Sequence, residues 1–389
     1  MSQPFLSWIE VDLDAIAFNV RNLKQFLAPH VRLGIVTKGN AYGHGAPQVT
    51  RVALESGADW AIVNRSNEGV QLRQGGITAP VLILGYTLPE EADRLVRWEL
   101  RPTVSNLLQA EALSGAAVRQ GVVANIHVKV DTGLGRQGLL PEEMIEFFRD
   151  VSRLPHLKVE GMYSHFSVAE EGAEDSVGYT RCQFDTFIQV RDELAQAGFA
   201  VPISHICNTA AALNFPEMHL DMVRVGSLLG GIYPSVHVKR EVALLPSLSL
   251  KSHVARVKVL PAGSAISYGR TYVTQAPTQI ALVPVGYGDG YRRGLSNKGS
   301  VLIRGQRVPI VGRICMDQCM VDATHIPDIA LHDEVVLIGC QNGECITGEE
   351  VGSLLGTNAY DITTSFTSRL PRVYVQNGQV VGVSDLVEE

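Results

Sequence analysis

Short runs of β-branched and aliphatic residues recur through the first two thirds of the chain. They alternate with stretches whose apolar positions fall three and four apart. Arg32–Thr37, Trp60–Asn64, Val81–Gly85, Arg101–Val104, Ala124–Asp131, Val159–Phe166, Ile203–Asn208 and Met222–Leu229 read as strands. Glu90–Leu100, Leu107–Val118, Glu142–Ser152 and Tyr179–Ala197 carry the period of amphipathic helices. Eight strands separated by helical stretches over about 240 residues predict an α/β fold, a (β/α)8 TIM-like barrel. An open doubly wound sheet is the competing reading. No Gly-x-Gly-x-x-Gly turn follows the first strand, which removes that fold's best support.

The texture changes after Leu244. Leu250–Leu260 alternates, Thr278–Val285 is apolar, Ser300–Asp322 reads as strands broken at Gly305, and Glu334–Ile338 is a further strand. Helical period is confined to Glu349–Leu355. The pattern predicts a barrel over residues 1–243 and a mainly β domain over 244–389.

Composition narrows the class without naming a reaction. A net charge of −7 argues against a nucleic-acid surface, and no apolar run is long enough to span a bilayer. The first residues have neither the basic segment nor the apolar stretch of a secretory signal, so a cytoplasmic location is expected. The six cysteines form no Cys-x-x-Cys pair, so a metal site is not expected and reduced, mostly buried thiols are.

Catalytic groups of such barrels sit at the C-terminal ends of strands and in the loops that follow. Lys38 ends the first strand, Arg136 follows the fifth, His165 closes the sixth, Asn208 the seventh, and Arg224 lies on the eighth. Each alone has an ordinary structural explanation, but together they mark one rim. A lysine leaving a barrel wall suits Schiff-base chemistry, because burial and nearby cations lower its pKa and free the amine to attack an aldehyde. Arg224-Val-Gly-Ser227 offers Gly226 and backbone amides that a phosphate could approach. An aldehyde trap beside a phosphate cradle suggests pyridoxal phosphate, while a Schiff-base aldolase is equally permitted by these residues.

Longer motifs go further. Lys38-x-x-Ala-Tyr42-Gly-His-Gly45, Lys129-Val-Asp-Thr-Gly-x-Gly-Arg136, Ser267-Tyr268-Gly-Arg-Thr-Tyr272, Tyr287-Gly-Asp-Gly-Tyr291, Gly312-Arg-Ile-Cys-Met-Asp-Gln318 and Leu-Pro-Arg-Val-Tyr374 stand in order along nearly the whole chain. In this the sequence resembles the alanine racemase family. The resemblance implies a pyridoxal 5'-phosphate enzyme, interconverting L- and D-alanine with two bases, and a homodimer whose sites are completed by the partner's second domain. A racemase of serine, or of broad range, with the same fold is the alternative.

It also implies roles. Lys38 carries the cofactor and is one acid/base group; Tyr268 of the partner subunit is the other. Tyr42, Ser227, Tyr360 and Thr209, the last standing where serine is usual, hold the phosphate with Gly226 and Asn208. Arg224 faces the pyridine nitrogen, and His165 and His205 link it to Tyr268. Arg136 meets the substrate carboxylate, Met316 and Asp317 close over the substrate from the partner, and Lys129 is the candidate for carbamylation. His127 reads as an interior histidine with satisfied hydrogen bonds. The sequence departs from the family's habit at Gly39, Val225, Gly230 and Asp361–Ser365, and none of these changes removes a reacting group.

Overall fold

A computed structural model describes residues 5–386 of the chain. The first strands are β1 (Ser7–Asp12), β2 (Arg32–Val36), β3 (Trp60–Val63), β4 (Val81–Ile83), β5 (Leu100–Val104), β6 (Ala124–Lys129), β7 (Leu157–Tyr163), β8 (Ile203–His205) and β9 (Met222–Val225). Two compact units result. One comprises Ile16–Ala41 and Ala46–Leu245; the other takes the residues through Ala15, Tyr42–Gly45, and those from Pro246 onward.

The first unit is the barrel. Its strands run parallel in the order β8-β7-β6-β5-β4-β3-β2-β9. The remaining seam narrows where the Asp221 amide donates to the Ser204 carbonyl (3.1 Å) and the Arg224 amide to that of Cys207 (3.0 Å). Strands buried on both faces must be nearly all apolar, and Ile35, Ile62, Leu82, Val104 and Val128 are fully buried. Each such side chain contributes roughly 1.5–3 kcal/mol relative to exposure. His127, Lys129, His205 and Arg224 break that rule, all four buried within the strands.

Val159–Phe166, Ile203–Asn208 and Met222–Leu229 each stop three or more residues early, the first at Tyr163, so His165 follows its strand and does not close it. Ile203–Asn208 ends at His205 because the Asn208 side chain accepts the Ala211 amide (3.0 Å) and caps the helix Thr209–Asn214. Met222–Leu229 ends at Val225, and Ser227–Gly230 forms a short 3-10 turn.

The second unit is mainly β. Strand β1 pairs antiparallel with Leu248–His253 and parallel with Arg372–Gln376, at the centre of the larger sheet. The single cut at 243/244 therefore needs correction at its N-terminal end: the buried positions Trp8, Ile9 and Val11 belong with this sheet, not with the barrel. Arg256–Leu260, Thr278–Val283 and Cys319–Asp322 form a second, three-stranded sheet. The cysteine expectation is also corrected. Cys340 and Cys345 face each other across a hairpin and are joined as a disulfide, whereas Cys182 is exposed and only Cys207 and Cys319 are buried thiols. Among the described residues, no helix is long and apolar enough to cross a membrane.

Candidate active site

Lys38 follows β2 directly and opens an unusual turn. Gly39, Asn40 and Ala41 have φ of 60°, 55° and 54°, a left-handed path that L-residues avoid. The Gly39 amide donates to Glu68 Oε1 (2.7 Å) and the Ala46 amide to Asn40 Oδ1 (2.8 Å), which pin the turn. Burial lowers the Lys38 pKa, and Arg136 and Arg224 lower it further against the opposing charge of Glu68. The amine is thereby biased toward its nucleophilic form.

Arg136 is held by the loop before it. Asp131 Oδ1 accepts the amides of Gly133, Leu134 and Gly135, and Oδ2 accepts that of Arg136 (2.8–3.1 Å). Burial pushes the Asp131 carboxyl up, but those four amides outweigh it and hold the group below the usual range. Lys129, at the end of β6, donates to the Gln137 carbonyl in the same loop. Burial is the main cause that brings its amine down to about 8.

Arg224 is the centre of the buried network. Its guanidinium donates to His205 Nδ1 (2.8 Å), His165 Nδ1 (3.0 Å) and the carbonyls of Ser164 (2.8 Å) and Ile206 (3.1 Å). Every one of these acceptors is neutral. Burial lowers the arginine to about 10, and burial followed by the Arg224 charge keeps His165 and His205 well below their usual value. Both imidazoles are therefore uncharged near neutral pH. Tyr163 stacks on His205 with centroids 4.9 Å apart, and Arg224 lies over its ring at 5.1 Å.

Beyond Arg224 the chain turns at Gly226, whose amide donates to Thr209 Oγ1 (3.0 Å). The Ser227 hydroxyl beside it is buried and, among the described residues, without a hydrogen-bond partner. Asn208, by contrast, is engaged as the helix cap. The structure thus gathers Lys38, Lys129, Arg136, His165, Asn208, Thr209, Arg224, Gly226 and Ser227 at the C-terminal strand ends of the barrel unit.

The remaining expected residues lie in the second unit. Tyr42 and Tyr360 meet edge to face with centroids 6.4 Å apart, and burial, then Tyr360, pushes the Tyr42 phenol up. Tyr268 is 68% exposed and Met316 52% exposed. Their loops are tied together where Ser267 Oγ donates to the Arg313 carbonyl (2.5 Å). Asp317 is exposed and paired with Arg369 (2.8 Å). Tyr163, Glu68 and Glu160 were not among the expected residues. Tyr163 precedes His165 by two positions on the same strand end, a signal that was available; Glu68 and Glu160 carry no local mark.

A barrel presenting a pKa-lowered lysine, two arginines and an unpaired buried hydroxyl at one end, joined to a β unit, defines an enzyme of the barrel class. Residues 11–234 match the model of the alanine racemase N-terminal domain, and residues 247–374 that of the alanine racemase C-terminal domain. The alanine racemase of Desulfosudis oleivorans is 45% identical over 95% of this chain and 97% of its own length. That of Clostridium tetani is 41% identical over 98% of each chain. The alanine racemase structure of Clostridium difficile superposes with a TM-score of 0.94 at 36% identity, over 99% of this chain and 100% of that one. The Bacillus anthracis alanine racemase with bound L-Ala-P gives 0.92 at 37%, over 98% and 99%. The chain belongs to the alanine racemase family, whose members are isomerases.

Proposed function

We propose that this enzyme racemises alanine with pyridoxal phosphate, using Lys38 and Tyr268 of the partner subunit as the two acid/base groups. The observation that carries this reading is the Lys38 amine, brought below its ordinary pKa at the end of β2 by burial and two arginines. The residues present suit the cofactor. Lys38 would hold it covalently, the unpaired Ser227 hydroxyl with Thr209 and Gly226 would receive its phosphate, and Arg224 would donate to its pyridine nitrogen. When bound, the cofactor supplies the electron sink that acidifies the substrate Cα–H.

Racemisation takes a proton from one face of Cα and returns one to the other, so two groups on opposite faces suffice. A phenol titrates near pH 10 and serves as a base near neutrality only beside cations. Arg136 and Arg224 supply them on the barrel side. Arg136, whose amide is fixed by Asp131 and whose side chain is exposed, is suited to the substrate carboxylate. Exposure of Tyr268 and Met316 on the second unit favours a homodimer in which these residues are covered by the partner. The relatives' shared name favours alanine over serine or a broad range.

Borohydride treatment of the purified protein should fix the cofactor on Lys38, as read by peptide mapping. Chiral chromatography over a panel of L-amino acids should rank alanine first and serine second. A label on another lysine, or faster turnover of lysine or arginine than alanine, would overturn the assignment.

A further inference from the structure

Arg224 is a fully buried cation with no carboxylate among its hydrogen-bond partners. A buried charge left without compensation costs several kcal/mol, on the order of the desolvation penalty for one ion. The compensation can be traced through the barrel interior. Arginine only donates, so His205 Nδ1 must accept from it, and the His205 proton must sit on Nε2. That N–H faces His127 Nδ1 at 3.0 Å, which must in turn accept. The His127 proton is then on Nε2, directed at Glu160 Oε2 at 3.6 Å. Glu160 also meets Arg101 Nε at 3.4 Å. Among the described residues, His127 Nε2, Glu160 Oε2 and Arg101 Nε are buried atoms without a hydrogen-bond partner, so these ion-pair contacts are their polar environment. Every donor along the line is fixed by the single fact that a guanidinium cannot accept.

Two independent features show that this line is built into the backbone. The β6–β7 ladder slips by one residue, from Ile126↔Val159 to His127↔Gly161, so Glu160 is the extra residue of a bulge. Bulges re-aim a side chain. The next residue, Gly161, leaves the space that the imidazole fills: a Cβ there would lie 2.5 Å from His127 Cε1 and 2.6 Å from Nδ1.

We infer that Glu160 is the counter-charge of Arg224, acting through His127 and His205, and that His127 and Glu160 are positioning residues of the active site. Neither touches a reacting atom. The carboxylate polarises the two neutral rings so that His205 Nδ1 becomes a better acceptor and fixes the guanidinium in place. Burial pushes the Glu160 carboxyl up, but His127 and Arg101 bring it below its usual range, so the charge is present. The catalytic weight of this line rests on the proposed role of Arg224 against the cofactor.

The holoenzyme labelled with 15N-histidine tests it. Both His127 and His205 should be Nε2–H tautomers, neutral through the neutral pH range. Glu160→Gln and His127→Leu should leave the His205 tautomer, which Arg224 fixes, but move its Nδ1 resonance, shift the visible band of the bound cofactor, and lower kcat about 10- to 100-fold with little change in KM, the range typical of groups that orient a ligand from behind. His127→Gln, which can accept and donate along the same line, should restore part of the loss. An Nδ1–H tautomer on either ring in the unmutated enzyme overturns the inference, whether or not any variant folds. So does an unchanged His205 Nδ1 resonance and kcat in a folded, cofactor-loaded Glu160→Gln. An unchanged cofactor band in Arg224→Lys, with the tautomers as expected, would instead remove the proposed role of Arg224 and leave the line intact.

Discussion

A guanidinium keeps its proton even when burial brings Arg224 down to about 10. Facing a pyridine nitrogen, as proposed, it would donate without transferring charge, which would make the ring a weaker electron sink than an acidic partner would. Arg224→Glu would reverse that polarity. Racemisation should fall about 100-fold or more, the loss typical of removing one oriented donor, and pyruvate from transamination should appear. Unchanged racemisation by a folded, loaded variant would refute the electronic argument. Lys129 makes a different prediction. An amine with a pKa of about 8 is roughly one-tenth free base at pH 7 and about half free at pH 8. Only the free amine adds carbon dioxide, so a carbamate on Lys129 should increase with pH through this window. Native mass spectrometry with and without bicarbonate should find that increment in the intact enzyme and not in Lys129→Ala. At this scale Lys38, Arg136, His165 and Arg224 were legible as candidates because each stands on, or in the loop after, a barrel strand. The carbonyl partner of Lys129 and the continuation from His205 to His127 were not, because these groups meet only after the barrel closes.

The turn after β2 shows what one element adds to its residues. Left-handed backbone costs about 1–2 kcal/mol for each L-residue, and glycine at position 39 avoids that cost at the first of five successive positions with positive φ. The departure from alanine there is thus explained by the φ of 60°. Glu68 holds the turn from the first turn of the helix Ser66–Gln74, accepting the Gly39 amide on one oxygen and those of Asn64 and Arg65 on the other. Its charge also raises the Lys38 pKa. Glu68→Gln should therefore move the titration of Lys38 to lower pH, since an anion that favoured the ammonium form is gone. The pH dependence of cofactor recapture by the cofactor-free protein should shift in that direction, and a shift upward would contradict the geometry. The strands and helices flanking this turn were readable from periodicity. The turn itself was not, because its sign is set by hydrogen bonds to residue 68, 29 positions away.

Across the whole molecule, the barrel and the β-rich texture after Leu244 followed from alternation alone. The placement of β1 did not, because Trp8-Ile9-Glu10-Val11 alternates equally well for either sheet and its partners lie some 240 and 360 residues downstream. Tyr268 is hidden from such reasoning for a related cause. It is exposed and lies in a short turn of the second unit, outside the barrel strands. If Tyr268 acts across a dimer, each site takes Lys38 from one chain and Tyr268 from the other. Lys38→Ala and Tyr268→Ala homodimers should then both be severely impaired. Exchange of subunits between them creates a heterodimer with one doubly damaged site and one intact site. Activity should recover to about half that of the unmutated dimer per heterodimer, as expected for sites without shared partners. Were Tyr268 to act within its own chain, every site in the mixture would lack one base. Exchange verified by native mass spectrometry without recovery of alanine racemisation would therefore reject the shared site.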